Sequence, residues 1–143
     1  MMDIPKTILA VRITPKTVEV VEDEKTVLKA ISEKLELEGF SVLTAEDGET
    51  GLITALGKKP DLILLDLIMP KMTGLQMMRQ LREANEYGKR VPIIILTNLS
   101  ANEPMSAVLA KDEPSFYLVK ADWKLEDVIS KIRETLERLP AKE

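Results

Sequence analysis

From residue 16 onward, apolar residues recur with two periods that alternate along the chain. Short, mostly aliphatic runs of four to six residues read as strands at 18–21, 40–45, 62–65, 92–96 and 115–119. Between them lie longer stretches with apolar residues three and four apart, which read as helices. Residues 24–38 carry Val27, Leu28, Ile31 and Leu35 on one face, with Gly39 as the stop. Residues 49–57 carry Leu52, Ile53 and Leu56 after a Glu46-Asp47-Gly48 turn, and residues 74–85 carry Met77, Met78 and Leu81. Residues 100–112 form a weaker pattern, with Pro104 tolerable only in a first turn. Residues 123–139 form the clearest one, with Leu125, Val128, Ile129, Ile132, Leu136 and Leu139 on one stripe and Asp122 as the expected N-cap. Strands alternating with helices predict a parallel sheet covered on both faces. The unbroken aliphatics of 92–96 fit a strand buried on both sides.

The N-terminus departs from this regularity. Lys6-Thr7-Ile8-Leu9-Ala10-Val11 and Lys16-Thr17-Val18-Glu19-Val20-Val21 read as two copies of one strand. Only the second runs into acids; the first is followed by Arg12 and Ile13. The second copy places Glu19 in a central strand, where burying a charge is expensive. Residues 1–15 are therefore expected to be an extension with an extra strand at 6–11 that pairs at a sheet edge, pairs with another chain or stays loose, and that promotes association or strand exchange. Residues 16–143 then form one domain, with no effector domain expected.

Composition narrows the chemistry. The 143 residues are 45% hydrophobic and 31% charged, the balance of a globular domain with one core. The absence of cysteine excludes disulfides and thiolates, and the absence of histidine excludes imidazole catalysis and phosphohistidine. A net charge of −4 with no clustered basic stripe argues against a nucleic-acid partner. No apolar run reaches the roughly 18 residues of a membrane span, so a cytoplasmic protein without membrane contact is expected.

Two strands end in carboxylates. The run at 18–21 leads into Glu22-Asp23-Glu24, and Leu62–Leu65 leads into Asp66, followed by a breaker-rich turn through Pro70 to Gly74. In open α/β sheets this carboxyl edge is where ligands bind. Carboxylates from neighbouring strand tips form an acidic pocket that calls for a cation, and hard divalent ions prefer oxygen ligands. Each residue also has a plainer reading. Acids opening a helix complement its dipole, Asp66 suits a turn before proline, and Met69, Met72, Met77 and Met78 suit core packing.

Together these positions resemble a response-regulator receiver domain, the phosphoacceptor module of two-component signalling, over all but roughly the first fifteen residues. Glu22 and Asp23 match the family's acidic pair, and Asp66 matches the phosphoacceptor within a D-x-x-M-P-x-M-x-G pattern. Thr97 matches the hydroxyl position, Lys120 the lysine after the last strand, and Tyr117 the aromatic switch. The resemblance implies a flavodoxin-like (βα)5 fold with strand order 2-1-3-4-5. It implies Mg²⁺ held by Glu22, Asp23, Asp66 and the Ile68 carbonyl, and a histidine kinase or phosphotransfer protein as donor. Catalysis by Asp66, Thr97 and Lys120 would be limited to self-phosphorylation and slow dephosphorylation, so no turnover enzyme is expected. The switch would run through Thr97 and Tyr117 to the surface of the fourth helix, fifth strand and fifth helix, beside which Trp123 lies.

Several residues depart from the family pattern. Ala121 replaces the usual proline after the lysine, so a trans peptide is expected there. Asn98 replaces a small residue. Ile68 and Leu99, at positions that tune hydrolysis in the family, are apolar, and a long-lived phosphoform is expected. Two alternatives stand beside the phosphoacceptor: a pseudo-receiver or scaffold that makes no use of phosphate, and, more distantly, a haloacid-dehalogenase-like phosphohydrolase. The last would need a second acid where Ile68 stands.

Overall fold

The structure, a computed structural model, describes residues 15–97, 116–119 and 124–138. Its elements are β1 (Thr17–Val21), α1 (Lys25–Leu37), β2 (Ser41–Ala45), α2 (Gly48–Lys58), β3 (Leu62–Leu65), α3 (Gly74–Ala84), α4 (Glu86–Arg90), β4 (Ile93–Thr97), β5 (Phe116–Val119) and α5 (Leu125–Arg138). The strands form one parallel sheet in the order β2-β1-β3-β4-β5. The expected extra strand at 6–11, the helix at 100–112, the cap Asp122 and the residues Asn98, Leu99, Pro104, Ala121 and Trp123 lie outside the described residues.

Alternation along each strand divides the core in two. Val18 and Val20 of β1, Leu62 and Leu64 of β3, and Ile94 and Leu96 of β4 pack with Leu28, Ile31 and Leu35 of α1 and Val128, Ile129 and Ile132 of α5. On the opposite face, Val21, Ile63, Leu65, Ile93 and Ile95 pack with Ala55 of α2 and Met77, Met78 and Leu81 of α3. A strand covered on both sides has no polar face, which is why β3 reads as pure aliphatic sequence. Arg133 ties α5 to the end of α1: its guanidinium donates to the Glu38 carbonyl at 3.0 Å and carboxylate at 2.9 Å and lies over the Phe40 ring.

Two details differ from the sequence reading. Ile53, expected on the buried face of α2, is 67% exposed, while Gly51 and Ala55 are buried in its stead. The short helix α4 has no sequence signal, because Gly88 in its middle reads as a breaker. Gly88 is required there: a Cβ would collide with the Leu81 carbonyl. The Asn85 side chain caps this helix by accepting from the Gly88 N–H at 2.8 Å, and Arg82 donates to the carbonyls of Gly88 at 2.9 Å and Val91 at 2.7 Å. Gly39 ends α1 at φ 94°, as its position suggests.

Candidate metal centre

The register of the sheet decides what meets at its carboxyl edge. Val21 lies opposite Leu65 in the β1–β3 ladder, and the Asp66 N–H donates to the Val21 carbonyl at 3.0 Å. Glu22 and Asp66 therefore leave adjacent strands at the same level. The order β2-β1-β3 makes the gap between β1 and β3 the point where the winding reverses, and chains diverging there open a crevice.

One carboxylate oxygen each from Glu22, Asp23 and Asp66 comes within 4.8 Å of the other two. Glu22 is 2% and Asp66 6% exposed, so two of the three acids are removed from bulk water. Local hydrogen bonds hold them. Glu22 Oε2 accepts from the Glu24 N–H at 3.1 Å, and Asp66 Oδ1 accepts from the Ile68 N–H at 3.3 Å. The donor set, three carboxylate oxygens gathered at one place, suits a hard divalent ion, which prefers oxygen ligands. Ile68, two residues beyond Asp66, is 53% exposed.

The loop after Asp66 is fixed by two contacts. Gly74 opens α3 with its N–H donating to the Leu67 carbonyl at 2.9 Å, and a Cβ at this position would collide with the carbonyl of Asp66. The obstruction is backbone, so it cannot rotate away. Gly74→Ala is expected to destabilise the fold by about 1–3 kcal/mol and to weaken divalent-ion binding by displacing Asp66; thermal melts with and without Mg²⁺ check both. The second contact is Lys71 Nζ to Asp47 Oδ2 at 3.7 Å, joining the loop to the start of α2. Asp47 caps α2 by accepting from the Thr50 N–H, and this bond, with a smaller contribution from Lys71, holds its carboxyl below the usual range. The sequence marks Asp47 as a turn residue but gives no sign of this pairing.

The remaining expected residues are placed only by backbone. Thr97 ends β4 and pairs with Val119 of β5, so both close on the same edge as Asp66. Lys120 and the side chains of Thr97 and Tyr117 lie outside what the structure describes.

A doubly wound parallel sheet with three acids converging at its switch point defines a receiver-like architecture. Residues 18–133 match the response regulator receiver domain, and the chain belongs to that family. It is 32% identical over 124 residues to the probable transcriptional regulatory protein TcrX of Mycobacterium tuberculosis, covering 87% of this chain and 51% of that protein. It is 37% identical over 123 residues to the response regulator ArlR of Staphylococcus saprophyticus, covering 86% and 53% respectively. The chain thus spans about half the length of the curated relatives it matches. Among solved structures, the Vibrio cholerae chemotaxis protein CheY4 superposes with a TM-score of 0.77 at 27% identity, covering 84% of this chain and 98% of that one. The family works in two-component signal transduction, with Mg²⁺ and histidine kinases as its usual cofactor and partners.

Proposed function

We propose that residues 16–143 form a phosphoacceptor that takes a phosphoryl group on Asp66 in a Mg²⁺-dependent reaction and signals through protein contacts. The convergence of Glu22, Asp23 and Asp66 carries this reading. A bound Mg²⁺ would offset the repulsion between these carboxylates and an incoming phosphoryl group. An Asp66 oxygen attacks phosphorus as the bond to the donor's leaving group breaks, giving an acyl phosphate and the released donor. The packing around Gly74 and the 3.3 Å bond from Ile68 keep the nucleophile oriented. Thr97, the last residue of β4, and Lys120, the next residue after β5, would supply a hydroxyl and a cation to the phosphoryl oxygens. The Ile68 carbonyl would complete the protein's metal ligands. Inward movement of Thr97, with Tyr117 filling the vacated space, would reshape the surface around the fifth strand and last helix. A histidine kinase or phosphotransfer protein is the expected donor.

Intact-mass spectrometry after incubation with acetyl phosphate tests the reading. One phosphoryl group is expected with Mg²⁺ and none with a chelator. No adduct in Mg²⁺ would favour a non-phosphorylated scaffold, and rapid release of phosphate would favour a hydrolase. The exposed apolar Ile68 offers no hydrogen bond to an attacking water. Ile68→Asn is therefore expected to speed loss of the phosphoform by roughly tenfold, about 1.4 kcal/mol of barrier, followed as phosphate release.

A further inference from the structure

Glu19 sits in the middle of β1, flanked by Leu43 of β2 and Ile63 of β3, and has no exposed surface. Among the described residues, neither carboxylate oxygen has a hydrogen-bond partner. Its face of the sheet is the one occupied by Val21, Ile63, Leu65 and Ala55. A central strand with an orphaned buried carboxyl is poorly matched to its slot.

The chain contains a better match ten residues earlier. Lys6-Thr7-Ile8-Leu9-Ala10-Val11 repeats the pattern of Lys16 to Val21 position by position. The four positions of β1 that are buried hold Val18, Glu19, Val20 and Val21; the earlier copy offers Ile8, Leu9, Ala10 and Val11. All four are apolar, and leucine replaces the carboxyl. After the strand, however, the earlier copy supplies Arg12 and Ile13 where the later one supplies Glu22 and Asp23. Exchange shifts the chain by ten residues along the slot and lengthens the link to α1.

We propose that the slot between β2 and β3 accepts either copy, and that occupation by 6–11 dismantles the acidic centre by replacing Glu22 and Asp23 with Arg12 and Ile13. The strand register is then a switch between a metal-competent and a metal-incompetent form. Its response to Mg²⁺ rests on the proposed function; the exchange itself does not. A ligand that binds one form alone draws the population to that form.

Because the chain has no cysteine, engineered pairs report register without background. Thr17 lies opposite Ser41, and neighbouring strands about 4.8 Å apart permit a disulfide. Thr17→Cys with Ser41→Cys traps the register seen here, and Thr7→Cys with Ser41→Cys traps the exchanged one. The disulfide of this second pair is expected to form within one chain in metal-free protein. It should fall by about tenfold or more on adding Glu19→Leu, or Leu9→Glu, each of which removes the advantage of the earlier copy. Saturating Mg²⁺ should lower it likewise. A yield no higher than that of Met2→Cys with Ser41→Cys, or indifference to both substitutions, would overturn the proposal. Links only between chains would also overturn it, pointing to strand donation to a second copy. A yield sensitive to both substitutions but not to Mg²⁺ would uphold the exchange and count against the metal reading alone.

Discussion

Asp66→Asn is expected to abolish the phosphoryl adduct and, in metal-free protein, to raise stability. Three carboxylate oxygens within 4.8 Å of one another repel. Two unit charges about 4 Å apart at an effective dielectric near 20 interact by roughly 4 kcal/mol, an upper guide for each pair. Local hydrogen bonds and partial solvation of Asp23 reduce this, so a gain of about 1–3 kcal/mol is a reasonable expectation. Asparagine keeps the shape and still offers an oxygen to the Ile68 N–H, so packing is preserved while the charge is removed. Added Mg²⁺ should stabilise the original chain and leave Asp66→Asn much less affected. Chemical denaturation of both proteins, each with Mg²⁺ and with chelator, reads all four values. A loss of metal-free stability in Asp66→Asn would show that the acids are not under mutual strain, and the functional-site reading would lose its energetic support.

The second large effect concerns Glu19. Burial pushes its pKa from 4.5 up to about 8. The folded state thus retains a proton that the unfolded chain releases above pH 4.5. Stability from this group is fully present below about 4.5, declines as pH rises, and reaches its floor above about 8. At pH 7 the deficit is on the order of 3 kcal/mol. Glu19→Gln removes the slope, and Glu19→Leu also removes the orphaned polar atoms. Both should exceed the original chain in stability at pH 7; near pH 4.5 Glu19→Gln should converge toward it, while Glu19→Leu keeps the gain from removing the orphaned polar atoms. Tyr87 does not contribute to this window. Its hydroxyl donates to the Pro60 carbonyl at 2.7 Å, and burial, reinforced by the nearby charges of Glu19 and Asp61, holds its pKa above the usual value. Denaturation midpoints across pH 5–9 test the difference. A parallel pH profile for Glu19→Gln and the original chain would mean that Glu19 is solvated in solution.

Under the proposed exchange, Mg²⁺ and Glu19 would act on the same strand from opposite directions. The acids beyond Val21 would favour the observed register when metal is bound, and the carboxyl in its middle would disfavour it most at pH values where it must ionise or hold its proton against solvent. Natural chains commonly tolerate such locally unfavourable groups where function requires two states.

Much of this molecule is legible in its sequence. The strand and helix periods locate β1 to β4 and α1 to α3 within a residue or two, because a sheet covered on both faces leaves a strong aliphatic signal. The acids are also recognisable, since Glu22, Asp23 and Asp66 each follow closely on such a run. Local pattern fails where a contact comes from elsewhere in the chain. Gly88 reads as a breaker until the Leu81 carbonyl is seen against it, and Ile53 reads as core until Gly51 and Ala55 are found packed in its stead. The Lys71–Asp47 pair depends on a loop turning back beside α2, which no spacing announces.

The sequence by itself located the five strands of the described sheet and showed that two of them end in acid. Only the tertiary structure decided that β1 lies beside β3, in a register placing Val21 opposite Leu65, so that Glu22, Asp23 and Asp66 share one pocket. Periodicity reports how each segment meets an apolar surface. Which segment lies beside which is settled by pairing across distant parts of the chain, and that information is not local.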